Sequence, residues 1–131
     1  MIVLDTSFII DLHRGSDSVR SMLEEIRGKS IAVTIISFFE IFSGLRHRRA
    51  KDEERYFRRF FSTVRLLNLD RPGAEEASRI MGELMRIGSQ VNVLDVIIAG
   101  VAVANGAEEI ISKDEDFFEI AKVADLVVKT Y

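Results

Sequence analysis

Residues 1–10 read Met-Ile-Val-Leu-Asp-Thr-Ser-Phe-Ile-Ile. The apolar run at positions 2–4 is too short for a helix face and begins with two β-branched residues, which suits a strand. It does not alternate with polar residues, so the strand is expected to be buried on both faces, as strands of parallel sheets are. Asp5 then breaks the run, and the residues behind it form a short helical pattern. Similar short apolar runs stand at 31–36, 64–69, 109–111 and 126–128. Longer amphipathic stretches separate them at 18–27, 38–48, 52–63, 73–87, 93–105 and 116–122. Strand followed by helix throughout predicts an α/β fold with a central parallel five-stranded sheet and helices on both faces. Its crossovers should be right-handed, and its ligand site should lie outside the carboxyl ends of the strands.

The rest of the composition fits one such unit. At 131 residues the chain has the length of a single domain spanning 1–131, with one proline and no linker-like tract or repeat. Apolar residues make up 47% and charged residues 30%, enough to build a core without covalent staples. There is no Cys, which excludes disulfides, thiolate zinc sites and cysteine nucleophiles and points to the cytoplasm. Two histidines, His13 and His47, are a thin supply for a zinc site or a serine triad. No apolar run approaches the roughly 18 residues of a membrane span, and the start of the chain lacks the pattern of a signal peptide. No membrane association is expected.

The carboxylates are the informative residues. Asp5 ends the first strand, Asp114 closely follows the fourth, and Glu40 and Asp95 fall in what the pattern makes the opening turns of two helices. In a parallel sheet all four positions face one edge. Each acid alone has an ordinary explanation, because Asp and Glu cap helices and favour their N-terminal ends. Ser37 with Glu40, and Asn92 with Asp95, have the spacing of capping boxes. Together the four are harder to explain so, since converging carboxylates repel unless a cation lies among them. Asp95 also heads the nearly all-apolar stretch Val96-Ile97-Ile98-Ala99-Gly100-Val101-Ala102, which must be buried, and no nearby base accompanies it. Oxygen-only ligands select hard cations, Mg²⁺ or Mn²⁺.

These residues also carry a family resemblance. The segments Ile2-Val3-Leu4-Asp5-Thr6-Ser7, Ser37-Phe38-Phe39-Glu40-Ile41-Phe42-Ser43-Gly44-Leu45, Leu94-Asp95-Val96-Ile97-Ile98-Ala99-Gly100-Val101-Ala102 and Ile111-Ser112-Lys113-Asp114-Glu115-Asp116-Phe117 come in the order and spacing of the PIN-domain nucleases. The chain most resembles the short VapC-type toxins of toxin–antitoxin pairs. That resemblance implies a single PIN-like domain and a metal-dependent ribonuclease in which Asp5, Glu40 and Asp95 hold the metal. It leaves Asp114 and Asp116 both open as the fourth ligand, because many relatives have Asn at the first position. Placement near the strand end favours Asp114 beside Asp5 and Asp95, with Asp116 at a weaker second ion. Thr6 and Ser112 are expected to orient carboxylates or waters from behind, or else to cap helices. The resemblance further implies a homodimer and an antitoxin partner.

Residues 46 to 65 carry eight Lys/Arg against three acids in a chain of net charge −3. Arg46, Arg48, Arg49, Arg55, Arg58 and Arg59 are therefore candidates to grip RNA phosphates, the alternative being a solvated helix face. Tyr56, Phe57, Phe60 and Phe61 have the spacing of packing residues rather than base-stacking ones, and with Phe38, Phe39 and Phe42 they predict surplus apolar surface for a subunit contact. Two other readings fit less well. A phosphoacceptor receiver domain would want an acidic pair after the first strand, where Asp5 stands alone. A PIN-like RNA-binding or regulatory module without turnover would not need the full set of acids.

Overall fold

The computed structural model describes residues 1–131. Five parallel strands, β1 (Ile2–Leu4), β2 (Ile31–Thr34), β3 (Arg65–Leu67), β4 (Glu109–Ile111) and β5 (Val127–Lys129), lie in the order β3-β2-β1-β4-β5. Seven helices connect them: α1 (Thr6–Arg14), α2 (Asp17–Glu25), α3 (Ile35–Arg48), α4 (Lys51–Thr63), α5 (Arg71–Arg86), α6 (Val93–Ala104) and α7 (Asp116–Ala121). The expected α/β architecture is the one observed.

The strands β1 to β4 divide their side chains between two cores, as the two-residue period of an extended chain requires. Val3, Ala32 and Ile110 join Leu67, Ile80, Leu84, Ile98 and Phe117 on the face covered by α5, α6 and α7. Ile2, Leu4, Val33 and Ile111 join Phe8, Ile9, Ile41, Phe42, Phe57 and Phe61 on the face covered by α1 to α4. Between α5 and α6 the backbones approach closely at Gly100, where a Cβ would lie 2.5 Å from the Ala77 nitrogen. Only glycine fits that seam.

Helix starts show why some boundaries differ from the expectation. The run 31–36 reads as one strand because Ile35 and Ile36 are apolar and β-branched, but Thr34 turns the chain: its Oγ1 accepts from Ser37 N at 3.3 Å and α3 begins at Ile35. Asp70 does the same for α5, accepting from Gly73 N at 3.0 Å, and Pro72 sits in the first turn where a missing N–H costs nothing. That helix therefore starts at Arg71 rather than 73. No helix is long and apolar enough to cross a membrane.

Candidate metal centre

The strand order places the site. The chain leaves β1 toward β2 on one side, and β4 later pairs with β1 on the other. Helices depart in opposite directions from the carboxyl ends of β1 and β4, which opens a crevice between them. Asp5 follows β1, held by its N–H to Ile111 O at 3.0 Å, and residues 112–114 follow β4.

Asp5 occupies the N-cap position of α1 but makes no side-chain cap bond. Its Oδ2 instead accepts from Ser112 Oγ at 2.6 Å and Ser7 Oγ at 3.0 Å, while Oδ1 is buried with no partner. Burial pushes its carboxyl above the usual range, against the hydrogen bonds from Ser112 and Ser7. Ser112, fully buried, also accepts from Asp114 N at 3.0 Å, so one hydroxyl ties the two acidic positions together. Ser7 escaped notice in the sequence; it lies two residues beyond Asp5, within reach of a turn-like side-chain contact.

Glu40 lies in the second turn of α3, not its opening turn, since the helix begins five residues earlier. Ser37 accordingly is no cap. It is fully buried and shares a hydrogen bond with Thr6 Oγ1 at 2.8 Å, while Thr6 Oγ1 donates to Glu40 Oε1 at 2.9 Å. Thr6 has a single proton and gives it to Glu40, so Ser37 must be the donor to Thr6. Ser37 and Glu40 are three apart on one helix face, the signal that could have paired them. Glu40 is raised by burial and by the charges of Asp5 and Asp114, with the Thr6 bond opposing.

Asp95 is 5% exposed in the first turn of α6, and its Oδ2 has no partner. Asn92 caps this helix as expected, accepting from Leu94 N at 2.8 Å. A capping box would have Asp95 accept in return from Asn92 N. That role falls to Asp116, whose Oδ2 accepts from Asn92 N at 2.9 Å, and Asp95 is left facing the crevice acids. Burial, then the charges of Asp114 and Asp5, push Asp95 up to about 8.

Asp95, Asp114 and Asp116 bring carboxylate oxygens within 4.8 Å of one another. Asp114 and Asp116 share this triad because the backbone between them is neither helix nor strand, with Asp116 N donating to Asp114 Oδ1 at 2.9 Å. Asp5 and Glu40 stand outside the triad, Glu40 within reach of the charge of Asp114 and Asp5 contributing to the rise of Asp95. No basic side chain pairs with any of the five acids. Buried carboxylate oxygens without donors, converging with nothing of opposite sign, fit a hard divalent cation, which satisfies such oxygens and offsets their repulsion.

The arginines spread along the C-terminal half of α3 and along α4. Arg48 pairs with Glu53 at 3.6 Å, Arg58 with Glu54 at 3.0 Å, and Arg55 with Asp52. Arg46, Arg49 and Arg59 enter no ion pair. The aromatic residues between them pack: Phe38 stacks on Phe42 at 4.2 Å, and Phe57 and Phe61 are buried, leaving Phe39 and Tyr56 exposed. Two uncovered apolar grooves flank the molecule, one of about 340 Å³ lined by Ile35, Phe38, Phe39 and Phe42 on α3 and one of about 260 Å³ lined by Leu69 before α5 and by Ala74, Met81, Val93 and Ile97 on α5 and α6.

Residues 2–123 match the family model described as PIN domain. Among solved structures the chain is similar to VapBC2 from Rickettsia felis bound to a promoter DNA fragment, at TM-score 0.85 and 19% identity, covering 100% of this chain and 99% of that one. It is similar to VapBC-5 from Mycobacterium tuberculosis, at TM-score 0.75 and 23% identity over 98% and 97% of the two chains. The M. tuberculosis toxin VapC20, described as cleaving the sarcin-ricin loop, superposes at TM-score 0.66 with 20% identity over 95% and 98%. No curated protein matches the chain by sequence.

Proposed function

Because the chain belongs to the PIN-domain family, we propose that it is a Mg²⁺-dependent endoribonuclease, a hydrolase of RNA phosphodiester bonds, acting as the toxin of a VapBC-type pair in the cytoplasm. The observation that carries this reading is the pair of buried, partnerless carboxylate oxygens, Asp5 Oδ1 and Asp95 Oδ2, on an acidic edge without a base. Asp5, Glu40, Asp95 and Asp114 would hold the cation, with Asp116 contributing from the cap of α6. Bound there, Mg²⁺ or Mn²⁺ supplies a water of lowered pKa and positive charge opposite the scissile phosphate.

The remaining work falls to the chain's own side chains. Ser7 and Ser112 occupy Oδ2 of Asp5 and so keep Oδ1 for the cation. Thr6, backed by Ser37, fixes the rotamer of Glu40. Arg46, Arg49 and Arg59, free of ion pairs, are the arginines best placed to trade counterions for RNA phosphates, and Arg48, Arg55 and Arg58 would first have to leave Glu53, Asp52 and Glu54. The groove on α5 and α6 is the surface for a second copy, giving a homodimer. An antitoxin would silence the site by covering its acidic edge; the similar VapBC structures support such a partner.

The test is cleavage of a mixed RNA pool by the purified protein with Mg²⁺ and with EDTA. Cleavage with Mg²⁺ alone, absent from Asp95→Asn, is expected. RNA binding without turnover at any Mg²⁺ concentration would replace this reading with that of a non-catalytic PIN module. Sedimentation should give a mass near twice 14.8 kDa, and Val93→Glu should return it to one.

A further inference from the structure

Asp11 is a buried carboxylate that the site described above does not use. It lies on α1, 8% exposed, and its Oδ2 accepts from Lys113 Nζ at 2.6 Å and from Tyr131 OH at 2.7 Å, with Arg14 Nη1 3.6 Å from Oδ1. A buried anion needs such partners, and an apolar residue would fill the place more cheaply. Burial raises its carboxyl, but Lys113, Tyr131 and Arg14 outweigh that and hold it below the usual range, so it is ionised.

Its partners locate its task. Residues 112–114 belong to no strand or helix; Ser112 N still donates to Lys129 O at 3.0 Å, but no backbone–backbone bond ties the segment to α1. Asp114 there faces like charge, since it raises both Asp95 and Glu40. What pulls the segment back to α1 is Ser112 Oγ on Asp5, Lys113 N on Ser7 Oγ at 3.4 Å, and the Lys113 ammonium on Asp11. Tyr131 backs the arrangement, its ring edge-on to the buried Phe8 at 4.9 Å. The ion pair touches no crevice acid, yet it joins the helix that starts at Asp5 to the residue next to Asp114.

We propose that Asp11 is a positioning residue for the cation site: by clamping Lys113 it holds the Asp114 segment against α1 and keeps Asp5 and Asp114 in reach of one ion. This rests on the cation reading given above. It is separable from plain electrostatics by sign. Losing the positive charge of Lys113 beside an acidic site should tighten cation binding if charge alone matters; losing the clamp should weaken it.

The experiment is Mn²⁺ titration followed by electron paramagnetic resonance on the full chain without RNA, comparing wild type, Asp11→Asn, Lys113→Gln and the double variant. Either single change should weaken Mn²⁺ binding about tenfold, as loss of partners behind a ligand does. The double variant should be no worse than either single one, because both break the same contact. Lys113→Arg should restore most of the affinity, and Glu25→Gln, which breaks the Lys129 pair at 2.9 Å elsewhere, should leave it unchanged. Lys113 is 54% exposed, so Lys113→Gln decides the matter even where Asp11→Asn does not fold. Unchanged or tighter binding by Lys113→Gln overturns the clamp alone. A wild type that binds no Mn²⁺ overturns the cation reading and the clamp with it.

Discussion

Helix α6 contains two regions built on opposite terms. Its first turn carries Asp95, buried among like charges with an oxygen that nothing satisfies. Five residues on, Gly100 lies against Ala77 so closely that no side chain fits between the helices. The first region costs stability and the second supplies it: Ile98, Ala99, Val101 and Ala102 are all fully buried in the core around the α5–α6 seam. A carboxylate cannot be kept at an unfavourable place by its own interactions, so the packing behind it must hold it there. If that division is right, damage to the two regions should have opposite signatures.

The largest separation is expected at Asp95. Asp95→Asn removes the charge and keeps the shape. Cleavage should fall on the order of a thousandfold, as when charge stabilisation at a reacting centre is lost. The melting temperature in EDTA should rise by a few degrees because repulsion from Asp114 and Asp5 is gone. Gly100→Ala should do the reverse. Its Cβ would sit 2.6 Å from Ala77 Cβ and 2.5 Å from Ala77 N, contacts that backbone must yield to relieve. The expected cost is about 1–3 kcal/mol, beyond what alanine returns in helix propensity. Mn²⁺ affinity of the folded fraction should be unchanged. A Gly100→Ala protein that melts like wild type would mean the seam is slacker than the separation of backbones implies.

The two regions were not equally legible in the sequence. The seam was visible as an all-apolar run, and the acids as motif positions on one sheet edge, because topology and period fix both. Less visible was anything set by a side-chain bond between distant segments. Asp116 capping α6 through Asn92 N, and Asp11 meeting Lys113 and Tyr131, depend on loop paths that no periodicity encodes. The end of β2 was misplaced for a related reason: Ile35 and Ile36 look like strand, and a single Thr34 hydroxyl overrides them. Among the α3 and α4 aromatics expected to carry surplus apolar surface, Phe42, Phe57 and Phe61 are buried while Phe39 and Tyr56 stay exposed, and the groove of Leu69, Met81 and Val93 lies in an ordinary amphipathic pattern that gave no such signal.

The next effect is one of pH. Asp95 is raised from 3.8 to about 8, by burial first and then by Asp114 and Asp5. A carboxyl whose folded value exceeds its unfolded one stabilises the fold while protonated; that contribution is complete below the unfolded value and is lost as pH rises through the folded one. Melting temperature in EDTA should therefore fall between about pH 5 and pH 8, and Mg²⁺ should flatten the fall by taking the proton's place. Asp11, held low, acts in the opposite sense and only at more acidic pH. Melts that stay level across this window in EDTA would show the Asp95 carboxyl to be better satisfied than its lone Oδ2 suggests.

The smallest effect sits where the two regions join, at Asp116. One of its oxygens accepts from Asn92 N at the start of α6, and the residue also belongs to the triad with Asp95 and Asp114. Cap and ligand are separable by choice of substitution. Asp116→Asn keeps an acceptor for the cap and removes the charge, so stability should hold while the Mg²⁺ needed for half-maximal cleavage rises several-fold, leaving residual rate. Asp116→Ala removes both, adding a stability loss of about 1 kcal/mol typical of a lost cap. Asp114→Asn, by contrast, should abolish cleavage at every Mg²⁺ concentration, since Asp114 lies nearer the strand end and raises both Asp95 and Glu40. Magnesium titrations and melts on the three variants distinguish these outcomes. If Asp116→Asn is the silent enzyme and Asp114→Asn the one rescued by Mg²⁺, the cap of α6 is itself the principal ligand, and the charged region reaches into the start of the packed helix.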